Sequence, residues 1–154
     1  MATCSNIILK TKENKYNVIY VHNDGYLEGV GYILKKYYSK YEDVEKLIQL
    51  GDLSCLGRTP ESDPKLWDYE YREQLCKSEN KQYKHWCERP DYLKCTSYKD
   101  RGEKSVDADT YNTFIDMCDS LGGEFNYIFI DNKWKLIDDD NYIIPYNVKL
   151  LKDK

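Results

Sequence analysis

S-N-I-I-L-K-T-K-E-N-K-Y-N-V-I-Y-V-H runs from Ser5 to His22, and its reading decides the fold. Ile7 and Leu9 alternate with Ile8, while Val18, Tyr20 and His22 alternate with Ile19 and Val21. Residues 5–11 and 16–22 therefore read as two strands, joined through Glu13-Asn14-Lys15. The same signature returns later, with Phe125 to Ile130, a turn at Asp131-Asn132, and Lys133 to Ile137. Strands that arrive in hairpins, instead of alternating singly with helices, predict an α+β domain. Its antiparallel sheet would carry helices packed on one face.

Between the hairpins the pattern turns helical. Asn23-Asp24-Gly25 ends the first one, and Asp24 is placed to cap a helix over residues 26–38. Leu27, Val30, Ile33 and Tyr37 fall at helical spacing there, with Glu28 near the positive helix end. Gly29 and Gly31 interrupt this helix at a cost of about 1 kcal/mol each. That predicts a close approach of backbone to the sheet or to a ligand. A second helix, residues 41–50, carries Val44, Leu47 and Ile48 on one face and stops at Gly51.

Residues 58–90 are charged and aromatic, punctuated by Pro60, Pro64 and Pro90, and read as an insertion or lid. Asp63-Pro64 starts a helix in which Trp67, Tyr71 and Leu75 share a face, and Asn80 to Lys84 reads as a loop. Tyr92 to Tyr98 reads as a strand. Asp107 opens an amphipathic helix bearing Tyr111, Phe114, Ile115, Cys118 and Leu121, ended by Gly122-Gly123. After a turn at Asp138 to Asn141, Tyr142 to Leu151 adds an edge strand, where Pro145 is tolerable.

At 154 residues the chain, 1–154, is expected to form one domain. Tyrosine is the outlier: 16 Tyr against three Phe and three Trp. Each brings ring area and a hydroxyl that wants a partner when buried, so the core is hydrogen-bonded or the surface is aromatic. The net charge of −4 argues against general duplex-DNA binding, which neutralises phosphates with Lys and Arg. No apolar run approaches the length needed to span a bilayer, and the N-terminus lacks the pattern of a secretory signal. The expectation is a protein of a host cytoplasm with six free thiols and no membrane partner.

S-N-I near the start, Y-V-H-N-D-G-Y at residues 20–26, Gly29-Val30-Gly31, L-I-Q-L-G-D-L-S-C-L at residues 47–56 and Asp100-Arg101-Gly102-Glu103 form a set. Together they resemble a family of small phage and prophage proteins, over about two thirds of the chain. The resemblance implies an accessory role in host takeover or counter-defence, and it implies no chemistry.

Candidate sites follow from the residues themselves. His22 and Asp24 pair an imidazole with a carboxylate at a strand end, with Gly25 beside them; a structural cap is the competing reading. Gly29 and Gly31 fail the dinucleotide fingerprint, since Leu34 stands where its third glycine would fall. What remains there is a helix start able to hold an anion. Arg101, one of four arginines, sits with Glu103 in a turn and offers a guanidinium fork for phosphate or carboxylate. Trp67, Tyr71 and Trp86 mark an interface or base-stacking surface.

Cys76, His85, Cys87 and Cys95 have poor spacing for zinc, so neither metal nor cofactor is implied. The leading expectation is a non-enzymatic binder that sequesters a small anionic, nucleotide-like ligand or inhibits a host protein. The alternatives are an inhibitor of the anti-CRISPR type, acting through an acidic, Tyr-rich surface, and a small nucleotide hydrolase using His22 and Asp24. A homo-oligomer is compatible with each.

Overall fold

Ile7, Ile8 and Leu9 have no solvent exposure at all. An apolar triplet buried on both faces belongs to a central strand. The computed structural model describes residues 2–77 and 83–148. It contains eight strands: β1 (Ser5–Lys10), β2 (Tyr16–Val21), β3 (Leu53–Cys55), β4 (Thr96–Ser97), β5 (Asp109–Tyr111), β6 (Phe125–Ile130), β7 (Lys133–Ile137) and β8 (Ile143–Ile144). They form one mostly antiparallel sheet in the order β4-β3-β2-β1-β6-β7-β8, with β5 pairing the start of β2. The class is α+β. Two pairs, β1–β6 and β2–β3, run parallel.

Four helices accompany the sheet: α1 (Tyr32–Tyr37), α2 (Tyr41–Gln49), α3 (Tyr69–Lys77) and α4 (Phe114–Ser120). Ile7, Leu9, Ile19, Val21, Tyr127, Phe129 and Trp134 face the larger core, shared with α1 and α2. Ile8, Val18, Ile128 and Ile137 face the other way and pack on Met117 and Cys118 of α4. The helices thus cover both faces, not one, because the apolar positions of β1 and β6 face both ways.

Three further expectations are corrected. The stretch from Asp107 does not open a helix: Asp109–Tyr111 pairs with β2, and α4 begins at Phe114. Thr113 caps it, its hydroxyl accepting from the Asp116 N–H at 3.1 Å. Tyr92 to Tyr98 is strand only at Thr96–Ser97, because Pro90 starts a 3-10 turn through Tyr92. The edge strand after Tyr142 is limited to Ile143–Ile144, and residues 149–151 lie outside the described residues. So do residues 80–82 of the expected loop.

The first helix enters through a π-helical turn, Leu27–Gly31. Asp24 does not cap it with its side chain. Its backbone is left-handed (φ 60°), and its carbonyl accepts from the Val30 N–H at 2.8 Å. A Cβ on Gly29 would collide with that carbonyl, and one on Gly31 would press at 3.1–3.2 Å on the rings of Tyr127 and Tyr146. The glycine pair is explained by internal packing. Gly51, at φ 76°, ends α2 as expected.

Buried tyrosines hold these loops through their hydroxyls. Tyr127 donates to the Gly25 carbonyl at 2.7 Å, Tyr146 to Gly31 at 3.1 Å, and Tyr38 to Gly57 at 2.8 Å. Tyr127→Phe should leave the Gly25 carbonyl without its donor and cost about 1–3 kcal/mol. Urea denaturation checks this; a loss within error of zero would show that water replaces the hydroxyl.

Candidate functional site

α3 presents Tyr69, Arg72, Glu73, Cys76 and Lys77 at i, i+3, i+4, i+7 and i+8, a polar stripe along one helical face. Together with the Asn23-Asp24 turn, Cys55 at the end of β3, and Arg89, Asp91 and Tyr92, this stripe lines a cleft of about 590 Å³. That size falls in the range of small-molecule sites.

The chemistry of the cleft centres on Asp91, whose side chain is 2% exposed. Arg89 grips it with Nε and Nη2 at 3.1 and 2.9 Å. Arg72 approaches Oδ2 with the same two nitrogens at 3.4 and 3.3 Å, and the Cys76 thiol donates to Oδ1 at 3.4 Å. One carboxylate thus meets two guanidiniums, each with five N–H donors. The Cys55 thiol is a further partner of Arg72, and the Cys76 thiol of Arg89. Burial opposes the charge on both arginines, but their neighbours outweigh it, Cys55 and Asp91 at Arg72 and Asp91 at Arg89. Both cations sit over the ring of Tyr92, at 5.4 and 5.7 Å. Burial holds the Tyr92 phenol well above its ordinary value, so it stays protonated.

Arg58 fixes the far wall by donating from Nη1 to the carbonyls of Cys87 and Arg89. Trp86 packs edge-on against Tyr92 at 4.8 Å, supporting the ring from behind.

Of the residues singled out from the sequence, Asp24 lines this cleft. His22, two residues away, turns elsewhere: its Nδ1 lies 2.7 Å from the Tyr20 hydroxyl, which lies 2.9 Å from the Cys4 sulfur. Burial, then Cys4, drives the Tyr20 phenol up. Gly25 and Gly31 give their carbonyls to tyrosines, and Gly29 abuts Asp24. Arg101 is half-exposed, ion-paired to Glu103 at 2.7 Å and stacked 4.0 Å over Trp67. It does not line the cleft. Trp67 donates its indole N–H to the Ser97 carbonyl, and Tyr71 its hydroxyl to Asp63.

The weak zinc set is dispersed. Cys76 binds Asp91, His85 stacks on Tyr32 at 4.1 Å, and Cys95 sits against Tyr38 and Gly57. Among the described residues no cluster of His, Cys, Asp or Glu could hold a metal, and no helix is long and apolar enough to cross a membrane.

The helix expected from Asp63-Pro64, with Trp67, Tyr71 and Leu75 on one face, is broken at extended Asp68 into a 3-10 turn (Pro64–Trp67) and α3, and that pattern leaves out the polar face of α3. The stripe at 69, 72, 73, 76 and 77 was the available signal, with Arg89 next to Pro90. No protein-family model, curated protein or solved structure matches the chain.

Burial pushes the Cys87 thiol up to about 11 and the Cys95 thiol up to about 12, from an ordinary 9.0. Each thiol keeps its proton longer when folded, so its contribution is fully present below pH 9 and is lost as pH rises through those values. Iodoacetamide at mildly alkaline pH should modify Cys4 and Cys76 in the native protein, and Cys87 and Cys95 only after unfolding. Peptide mass mapping reads this out; native labelling of Cys95 would contradict the packing.

Proposed function

We infer that the protein is a non-enzymatic binder that sequesters a small, nucleotide-like anion in the cleft between α3 and the Asn23-Asp24 turn. The observation that carries this reading is the pairing of two guanidiniums with one buried carboxylate. The guanidinium donors that Asp91 does not use, with Lys77 in the lining, suit a phosphate. Asp24 and Asn23 on the opposite wall suit hydroxyl or amino groups of the same ligand. Tyr69, 72% exposed, and Tyr92 supply ring surface for a base.

Withdrawing such a signal from a host cytoplasm is the counter-defence role proposed, in line with the resemblance to phage and prophage proteins. The acidic balance of −4 and the exposed Tyr69 favour a second reading, inhibition of a basic host protein.

Thermal shift against a panel of mono-, di- and cyclic nucleotides tests the first reading. At a hundred times its dissociation constant a ligand stabilises by roughly 2.7 kcal/mol, a rise of about 5–10 °C for a chain of this size. Arg89→Gln should weaken binding about tenfold or more, while Arg72 keeps Asp91 paired. Arg101→Ala should leave it unchanged. A panel without any shift, or loss of binding in Arg101→Ala but not in Arg89→Gln, overturns the cleft as the site.

A further inference from the structure

Away from the cleft, the turns of the two long hairpins and the link between α1 and α2 enclose two adjoining hollows of about 620 and 500 Å³. They share Ser39, Phe129 and Asn132 and so make one trough. Lys10, Lys12, Lys35, Lys40, Lys133 and Lys135 line it, against two carboxylates, Glu42 and Asp131. The lining carries a formal +4 in a chain whose total is −4, so the remaining residues carry −8. The basic charge of an acidic protein is gathered at one end.

These lysines also differ in their company. Six of the other described cations lie beside carboxylates: Lys36 by Glu88, Lys94 by Glu61, Lys99 by Asp107, Arg101 by Glu103, and Arg72 and Arg89 by Asp91. Among the described residues none of the six trough lysines has an ion pair. Lys12 rests on the Tyr41 ring at 4.7 Å, and Lys35 on the Tyr146 ring at 4.2 Å. Burial lowers the Lys35 ammonium from its ordinary value, and its Nζ donates to the Tyr146 carbonyl. Lys133 and Lys135 also lie on the part of β7 that β8 leaves unpaired, where lysines blunt an open edge. That role accounts for Lys133 and Lys135, but not for Lys10, Lys12 and Lys40 across the trough.

We propose that this trough is a second anion site, separate from the cleft, and that it takes a compact cluster of phosphates. Ammonium groups are point charges that hold phosphate without demanding bidentate geometry, and no arginine lines the trough. The rings beneath it, Phe129, Trp134 and Tyr146, are 2%, 6% and 4% exposed, and the half-buried Tyr41 ring already carries Lys12. They offer no face on which bases would stack, which disfavours single-stranded nucleic acid. Each hollow matches the volume of a small ligand.

Calorimetric titration with inorganic tripolyphosphate and, in parallel, inositol hexakisphosphate tests the site and separates linear from ring-borne phosphates. Saturable one-to-one binding of either is expected, weakening steeply as salt is raised. The double variants Lys12→Glu/Lys40→Glu and Lys133→Glu/Lys135→Glu should each weaken it at least about tenfold. Arg89→Gln should leave it intact, which separates failure here from failure of the cleft. Absence of saturable binding overturns the proposal, as does an affinity unchanged from the parent protein in both double variants. A single-stranded oligonucleotide that outcompetes both phosphate probes would make the trough a nucleic-acid surface and likewise overturn it.

Discussion

The hydroxyls of buried tyrosines, donated to carbonyls of glycine-bearing loops, are the interactions on which the rest of this structure depends. Tyr127 and Tyr146 reach from the sheet side of the core to Gly25 and Gly31, and Tyr38 reaches from the end of α1 to Gly57. Trp134 closes the set by donating its indole N–H to the Tyr38 carbonyl at 2.7 Å. A buried carbonyl without a donor is costly, so each bond selects one loop position strongly while adding little net stability. The loops so pinned carry Asn23, Asp24 and Cys55, one wall of the cleft. An abundance of tyrosine that drifting composition could supply has become a set of fixed distances.

The opposite wall is held electrostatically. Arg72 and Arg89 converge on Asp91, and Arg58 ties the carbonyls of Cys87 and Arg89. Desolvation of Asp91 offsets much of the Coulombic gain, so this cluster specifies geometry more than it stabilises. A carboxylate nearly closed to water orders the arginines without using all their donors. The cleft therefore has one wall fixed by neutral hydrogen bonds within the core and one fixed by ions near the surface.

The two proposed anion sites differ in kind. The cleft pairs two arginines with one internal carboxylate and offers directional donors, whereas the trough gathers lysines without ion pairs and offers charge. In an acidic chain the trough is a basic exception, whereas the lining of the cleft is formally neutral. Net charge bounds which bulk partners a protein attracts, and it says little about a pocket lined by a dozen residues.

The local periodicities were legible in the chain itself. Alternation in residues 5–11, 16–22 and 125–137 specified the hairpins, and helical spacing at Val44, Leu47 and Ile48 specified α2, because these signals repeat over neighbouring residues. Asp107 to Tyr111 reads as helix for the same reason: Tyr111 stands at helical spacing before Phe114, and only pairing with β2 makes Asp109–Tyr111 a strand. The covering of both sheet faces was written in Ile7-Ile8-Leu9, an apolar run that a one-sided sheet would not need.

The site was legible only in part. Asp24 stood out by its place in a turn, and Arg101 by its scarcity, but scarcity does not say which arginine faces a cavity. Arg72, Arg89 and Asp91 lie 17 to 19 residues apart in two groups, and only the fold of residues 58–92 against β2 and β3 brings them to Asp24. Sequence determines what a segment prefers over a few residues. Which distant charges share one buried volume is decided by the long-range packing that closes it.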